Sequence, residues 1–201
     1  TKPKHVSSTD HAEIKNAILD LAAADSCKVC CFVVPHDIAK GQKHADRLKF
    51  GTNTLLGKFD QFLLEHGKCA GMAFFDTTTD YKQADYFREV FTKGVTWNDG
   101  TKKRLRYIVS IDNTGISHSH LVSVTDIVVG HFRFVANEPD KDVVGKILIK
   151  QLEKTMWGVS DENGILNVGE RGVCIRPRVI KSNKYKADIA AFMDRLTNWS
   201  E

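Results

Sequence analysis

Two aspartates stand where a carboxylate could do chemistry. Asp126 lies inside the apolar run Leu121-Val-Ser-Val-Thr-Asp-Ile-Val-Val-Gly130, and Asp76 ends the run Ala70-Gly-Met-Ala-Phe-Phe-Asp76. Taken at helical spacing, Asp126 shares a face with Ser119, Ser123, Gly130 and Arg133, so a polar stripe runs along an otherwise greasy helix. Gly130, one turn on, leaves room for another chain or a ligand to approach closely. A carboxylate desolvated there requires a cation, a metal or several donors, because a buried unpaired charge is costly. The alternative is structural: Asp126 caps a loop or pairs with Arg133 or another basic residue. Asp76 ends a strand that leads through a polar turn into a helix, where open α/β sheets build their sites. Asp80, one turn further, could assist it, and capping that helix is again the structural alternative. Two aspartates so placed could jointly hold Mg²⁺, which prefers carboxylate and water oxygens and bridges to phosphate.

Other constellations carry less. His118 and His120 suggest zinc, but they point the same way only in an extended segment, and no cysteine or third histidine follows at zinc-site spacing. His131, beside Gly130, reads as a helix residue facing away from Asp126. Cys27-Lys-Val-Cys30 has the form C-x-x-C but sits inside the strand-like run CKVCCFVV with no second pair, so it reads as buried strand. No glycine-rich phosphate loop and no nucleophile elbow occurs. Basic residues gather at Lys102, Lys103, Arg104 and Arg106, and at Arg171, Arg176, Arg178, Lys181, Lys184 and Lys186. The second group, with Asn183 and Tyr185 inside it, could follow a phosphate backbone, although solvated faces produce similar runs.

The elements that must position these residues alternate. Asp10-x-x-Glu13 resembles a capping box for a helix from Thr9 or Asp10 to about Asp25, with Ile14, Ile18, Leu21 and Ala22 as its apolar stripe. CKVCCFVV (27–34) predicts a strand. A helix follows over about 45–66, with Leu48, Leu55, Leu56, Phe59, Phe62 and Leu63 apolar. AGMAFFD (70–76) predicts a second strand. A helix over 78–94 is capped by Thr78 or Thr79 and closed by Gly94, and a third strand, RLRYIVSI (104–111), passes into a loop holding Asp112, Asn113, Gly115 and Ser117. Residues 119–136 predict a buried helix, although their Val and Ile content would suit a strand equally well. A helix over 143–157, a strand near 172–180 and a helix over 185–199 complete an α/β pattern with a largely parallel or mixed sheet.

The 201 residues favour one domain, residues 1–201, with 138–201 as a C-terminal helix-strand-helix extension. A formal charge of +4, from 29 Lys and Arg against 25 Asp and Glu, permits a nucleic-acid partner without implying one. No apolar run approaches the roughly 18 residues that span a bilayer, and TKPKHVSSTD has no signal-peptide core, so no membrane partner and a cytoplasmic location are expected. Five cysteines in apolar contexts argue for reduced thiols rather than a disulfide framework. The opening residues read as the approach to a helix rather than the start of a fold, so the chain is expected to be N-terminally incomplete.

The order of elements around Asp76, followed by Ser119-x-Leu121-x-Ser123-x-x-Asp126-Ile-Val-Val-Gly130, resembles the "domain of unknown function 3800" family of prokaryotic proteins. The resemblance covers residues 1–137. Ser119, Leu121, Asp126 and Gly130 match the family's motif, whereas Ser123 stands for its usual glutamine and Thr125 for its usual alanine. Asp76 matches the strand-end acid. Lys4 and His5 fall in the polar approach to the first long helix. The resemblance implies an RNase H-like fold: a three-layer α/β domain with a mixed sheet flanked by helices. It further implies a nuclease in which Asp76 and Asp126 bind Mg²⁺ or Mn²⁺, with Ser119, Ser123, Arg133, His5 and Lys4 as substrate-side candidates. The family's Asp-Glu-Ser-Gly strand, which supplies a further acid, does not occur in this sequence. The competing expectation is a non-catalytic subunit of a defence or mobile-element complex that binds nucleic acid, a protein partner or a second copy of itself.

Overall fold

The structure, a computed structural model, describes residues 4–24, 27–76, 81–97, 99–115, 118–137, 150 and 152–197. In chain order the described elements are α1 (Ser8–Ala24), β1 (Cys31–Val33), α2 (His36–Lys40), α3 (His44–Glu65), β2 (Gly71–Asp76), α4 (Tyr81–Lys93), β3 (Val95–Thr96), β4 (Lys102–Lys103), β5 (Ile108–Thr114), α5 (His120–Asn137), β6 (Val159–Ser160), β7 (Leu166–Asn167), β8 (Val173–Ile175) and α6 (Asn183–Thr197). The fold is mixed α/β, with long helices and, among the described residues, strands paired only two by two. None of the described helices is long and apolar enough to cross a membrane. The residues divide into two compact units: Phe32–Val122, and a unit assembled from Thr1–Cys31 and Ser123–Glu201.

In the unit spanning Phe32–Val122, α3 presents Leu56, Phe59 and Leu63 at i, i+3 and i+7, the spacing that lines one helical face. These residues join Val90 of α4, Val95 of β3 and Ile108 of β5 in the core, with Ala73 and Phe75 of β2 packed against them. The predicted stripe of α3 holds except at Leu48, which is exposed. β2 and β5 run parallel, with Phe74 opposite Asp112 and Asp76 opposite Thr114. The approach of β2 to α3 is so close that a Cβ at Gly71 would lie 2.4 Å from Leu63 Cδ1. Gly94 closes α4 at φ 87°, where a Cβ would lie 2.2 Å from the Lys103 carbonyl oxygen, so no side chain can enter.

The second unit corrects several expectations. The cap of α1 is Ser7, whose Oγ accepts the Asp10 N–H at 3.1 Å, rather than Thr9 or Asp10. Among the described residues of α1, Leu19 and Ala22 are buried, while Ile14 and Leu21 face solvent. The helix that carries Asp126 exists, over His120–Asn137, but it is not buried all round. Val128, His131, Phe132 and Val135 turn inward, with the Phe132 ring edge-on to Phe192 of α6 at 5.7 Å. The predicted strand over 27–34 shortens to Cys31–Val33 plus a bridge at Val29. The helix expected to reach Trp157 stops earlier, because the Trp157 N–H donates to the Val29 carbonyl in a strand-like bridge. Its earlier part, 143–149, lies outside the described residues, as do Thr78, Thr79, Asp80 and Ser117. The strand near 172–180 shrinks to Val173–Ile175, ending before Pro177, which has no N–H to offer a ladder.

Candidate functional site

Alternation along β2 sorts its side chains. Gly71, Ala73 and Phe75 turn toward the core or are half-buried, and Met72, Phe74 and Asp76 are exposed. Residues side by side in a ladder share a face, so Ser110, opposite Met72, and Asp112, opposite Phe74, stand with Asp76 on the exposed face. Both aspartates are exposed and lie toward the C-terminal ends of parallel strands. Asp112 is oriented by its own strand, where the Ser110 hydroxyl donates to Asp112 Oδ2. By sequence, Asp112 falls in a loop; in the structure it is part of β5. No sequence signal marks it, because Asp112, Asn113 and Thr114 are three successive polar residues after the apolar run that ends at Ile111.

Along the same strand a cleft of about 470 Å³ opens between β5 and α4, lined by Val109 to Asn113 and by Ala84, Phe87, Arg88 and Phe91. Arg88 brings a cation to the cleft that Asp112 also lines. Arg88 pairs with Asp85 at 3.4 Å, an exposed pairing that is weak in water. The exposed side chains of Lys102, Arg104 and Arg106 belong to this unit as well.

The buried carboxylate is Asp60. At 3% exposure in the middle of α3, its Oδ1 accepts the backbone N–H groups of Arg106 at 2.7 Å and Tyr107 at 2.8 Å. Lys103 Nζ stands 3.9 Å from Oδ2. These bonds fix the entry into β5, so Asp60 holds the strand that carries Asp112 without itself reaching solvent. Its role escaped the reading from sequence, although it sits four residues after Leu56 and three before Leu63, on the inner face of α3.

Asp126 is exposed on α5, as are Gly130 and Arg133, and Ser119 and Ser123 are half-exposed. The polar stripe is therefore the solvent face of an amphipathic helix, which corrects the expectation of a desolvated carboxylate. A Cβ at Gly130 would meet nothing within 4 Å among the described residues, so no close approach explains that glycine. Asp126, Ser123 and Arg133 belong to the unit of α1, α5 and α6, and Asp76 and Ser119 to the other. Lys4 and His5 are exposed in the turn before α1.

His118 and His120 are exposed, and among the described residues no three His, Cys, Asp or Glu side chains converge as a metal site. His131 faces away from Asp126, as expected, and is buried at 8% exposure. Its ring Nδ1 lies 2.7 Å from the Ile127 carbonyl, which can only accept, so Nδ1 carries the proton. Burial holds its pKa below the usual histidine value and Lys15 adds to this, while the bond to Ile127 opposes them.

The C-terminal basic group is partly committed to structure. Arg176, 6% exposed, places Nη1 2.7 Å and Nη2 3.1 Å from the two carboxylate oxygens of Glu170, and Arg178 reaches Glu170 Oε2 at 2.9 Å. Arg176 of this group is thus committed to Glu170, whereas Lys181, Lys184 and Lys186 are exposed. No family profile, curated protein or solved structure matches the chain.

Proposed function

We propose that the protein is a metal-dependent phosphodiesterase acting on nucleic acid, with Asp76 and Asp112 as the carboxylates that hold a divalent cation. The observation that carries this reading is the pair itself: two exposed aspartates on one face of two parallel, hydrogen-bonded strands, near their C-terminal ends. The pair suits Mg²⁺ or Mn²⁺, because such ions are commonly bound by one or two carboxylates, with water and substrate phosphate completing the shell. Bound there, the cation would lower the pKa of water and neutralise charge developing on phosphate oxygens. The chain's own residues do the rest. The Ser110 hydroxyl holds Asp112 in place. Arg88, in the adjoining cleft, offers a planar fork of donors that matches a phosphate. Lys102, Arg104 and Arg106 supply sequence-independent attraction for a backbone.

An RNase H-like arrangement, with Asp126 as a further acid, rests on the motif resemblance alone. The test is cleavage of labelled single- and double-stranded DNA and RNA by the full chain with Mg²⁺, with Mn²⁺ and with a chelator. Asp76→Asn and Asp112→Asn are each expected to lower the rate by about a hundredfold or more, the order seen when an electrostatic contributor to a transition state is removed. Asp126→Asn, run beside them, decides whether the α5 aspartate takes part. Binding of nucleic acid without cleavage by the wild type would favour the non-catalytic subunit instead.

A further inference from the structure

The thiols of the unit built from Thr1–Cys31 and Ser123–Glu201 are not scattered. Cys30 Sγ and Cys174 Sγ lie 3.9 Å apart although 144 positions separate them in sequence. That is a van der Waals approach of two sulfurs, about 2 Å longer than a disulfide bond. Backbone bonds on either side hold the pair together: the Val29 N–H donates to the Thr155 carbonyl, and the Cys31 N–H to the Gly172 carbonyl, each at 2.7 Å. Cys30 is half-buried and Cys174 is fully buried, so Cys30 is the residue of the pair that a solute would reach first.

We propose that Cys30 and Cys174 form a redox site that is oxidised to a disulfide by a low-molecular-weight disulfide such as oxidised glutathione. The Cys30 thiolate attacks one glutathione sulfur; that S–S bond breaks, a mixed disulfide forms, and the first glutathione leaves with the proton Cys30 has lost. The Cys174 thiolate then attacks the Cys30 sulfur and expels the second glutathione, which takes the Cys174 proton. Two protein thiols are oxidised and one glutathione disulfide is reduced to two thiols. Cys31, the neighbour of both, is no competitor: burial and the nearby Cys174 push its pKa up to about 12, so it stays a protonated, unreactive thiol at neutral pH. The new bond would join the two chain segments of this unit and restrict the unfolded chain, raising thermal stability.

The experiment uses the full chain with the two exposed thiols removed as Cys27→Ser and Cys69→Ser, leaving three of the five cysteines. After treatment with oxidised glutathione, the remaining thiols are alkylated and the protein is mapped without reduction. The expected results are a fall from three thiols to one, a linked peptide joining Cys30 to Cys174, and a Tm rise that dithiothreitol reverses. Cys30→Ser in the same background should lose both the link and the Tm rise. This half-buried position serves as the comparison even if Cys174→Ser does not fold. Three titratable thiols after oxidation, glutathione retained on Cys30, a link through Cys31, or a Tm rise that persists in Cys30→Ser would each overturn the proposal.

Discussion

Single side chains in this protein divide into those that hold the fold and those that face solvent, and burial with its partners separates them. Asp60 is the carboxylate the core depends on. Asp60→Ala strands two backbone donors, at about 1–3 kcal/mol each for a buried unsatisfied group. We expect a destabilisation of about 2–5 kcal/mol, read as a Tm lower by roughly 5–15 °C for a chain of this size. Asp60→Asn keeps an acceptor oxygen and should be distinctly less destabilised. Thermal melts of the two variants beside the wild type check this; equal melting of all three would show that the Arg106 and Tyr107 amides do not depend on the carboxylate. His131 makes stability depend on pH. Its folded-state pKa is depressed, so below the ordinary value of about 6.5 the unfolded chain takes up a proton that the folded chain resists. The His131 contribution is therefore complete above that value and declines as pH falls from about 6.5 toward the folded pKa. Tm should drop more between pH 7.5 and pH 5.5 in the wild type than in His131→Gln, and identical drops would rule His131 out as the cause.

At the scale of elements, β2 is positioned by its fit against α3. Gly71→Ala would place a methyl 2.4 Å from Leu63 Cδ1 and 2.8 Å from Phe59 Cζ. An overpacked core costs about 1–3 kcal/mol. Urea denaturation of Gly71→Ala should show a destabilisation in that range, and on the proposed function it should also reduce cleavage, because the added methyl crowds the packing that positions the strand ending in Asp76. Undiminished stability would mean that β2 and α3 part without cost. In the unit spanning Phe32–Val122, α3, α4 and β2 were legible in the sequence because α3 and α4 repeat their apolar residues at helical spacing and because Gly67, Gly94 and the run to Asp76 mark where elements end. Element ends in the other unit were less legible. Ser7 rather than Thr9 caps α1, and backbone bonds between distant segments, from Val29 to Thr155, decide where the expected 27–34 strand and 143–157 helix give way. No local pattern carries such information. The candidate site was legible by half: strand-end position singled out Asp76. Asp112 was hidden because a polar tail on an apolar strand looks like a loop, and the helical stripe through Asp126 is a solvent face.

The whole molecule carries a small positive charge that is unevenly committed. Arg176 and Arg178 are engaged by Glu170, whereas Lys102, Arg104 and Arg106 are exposed in the unit that holds Asp76 and Asp112. If nucleic acid binds this unit, replacing those three residues with alanine should weaken binding to all sequences alike. The slope of log K against log salt should become shallower by about 0.7–0.9 for each phosphate that is no longer neutralised. Fluorescence anisotropy across a salt series reads both; an unchanged slope would place the binding surface elsewhere. Mg²⁺-dependent cleavage by Asp76→Asn and Asp112→Asn decides whether the proposed carboxylate pair holds a catalytic cation. Both positions are exposed, so stability should stay within about 0.5 kcal/mol of the wild type, and any fall in activity is then not a failure of folding. The expected result is Mg²⁺-dependent cleavage by the wild type, a fall of about a hundredfold or more in each variant, and unchanged melting. Wild-type rates retained by either folded variant would contradict the claim.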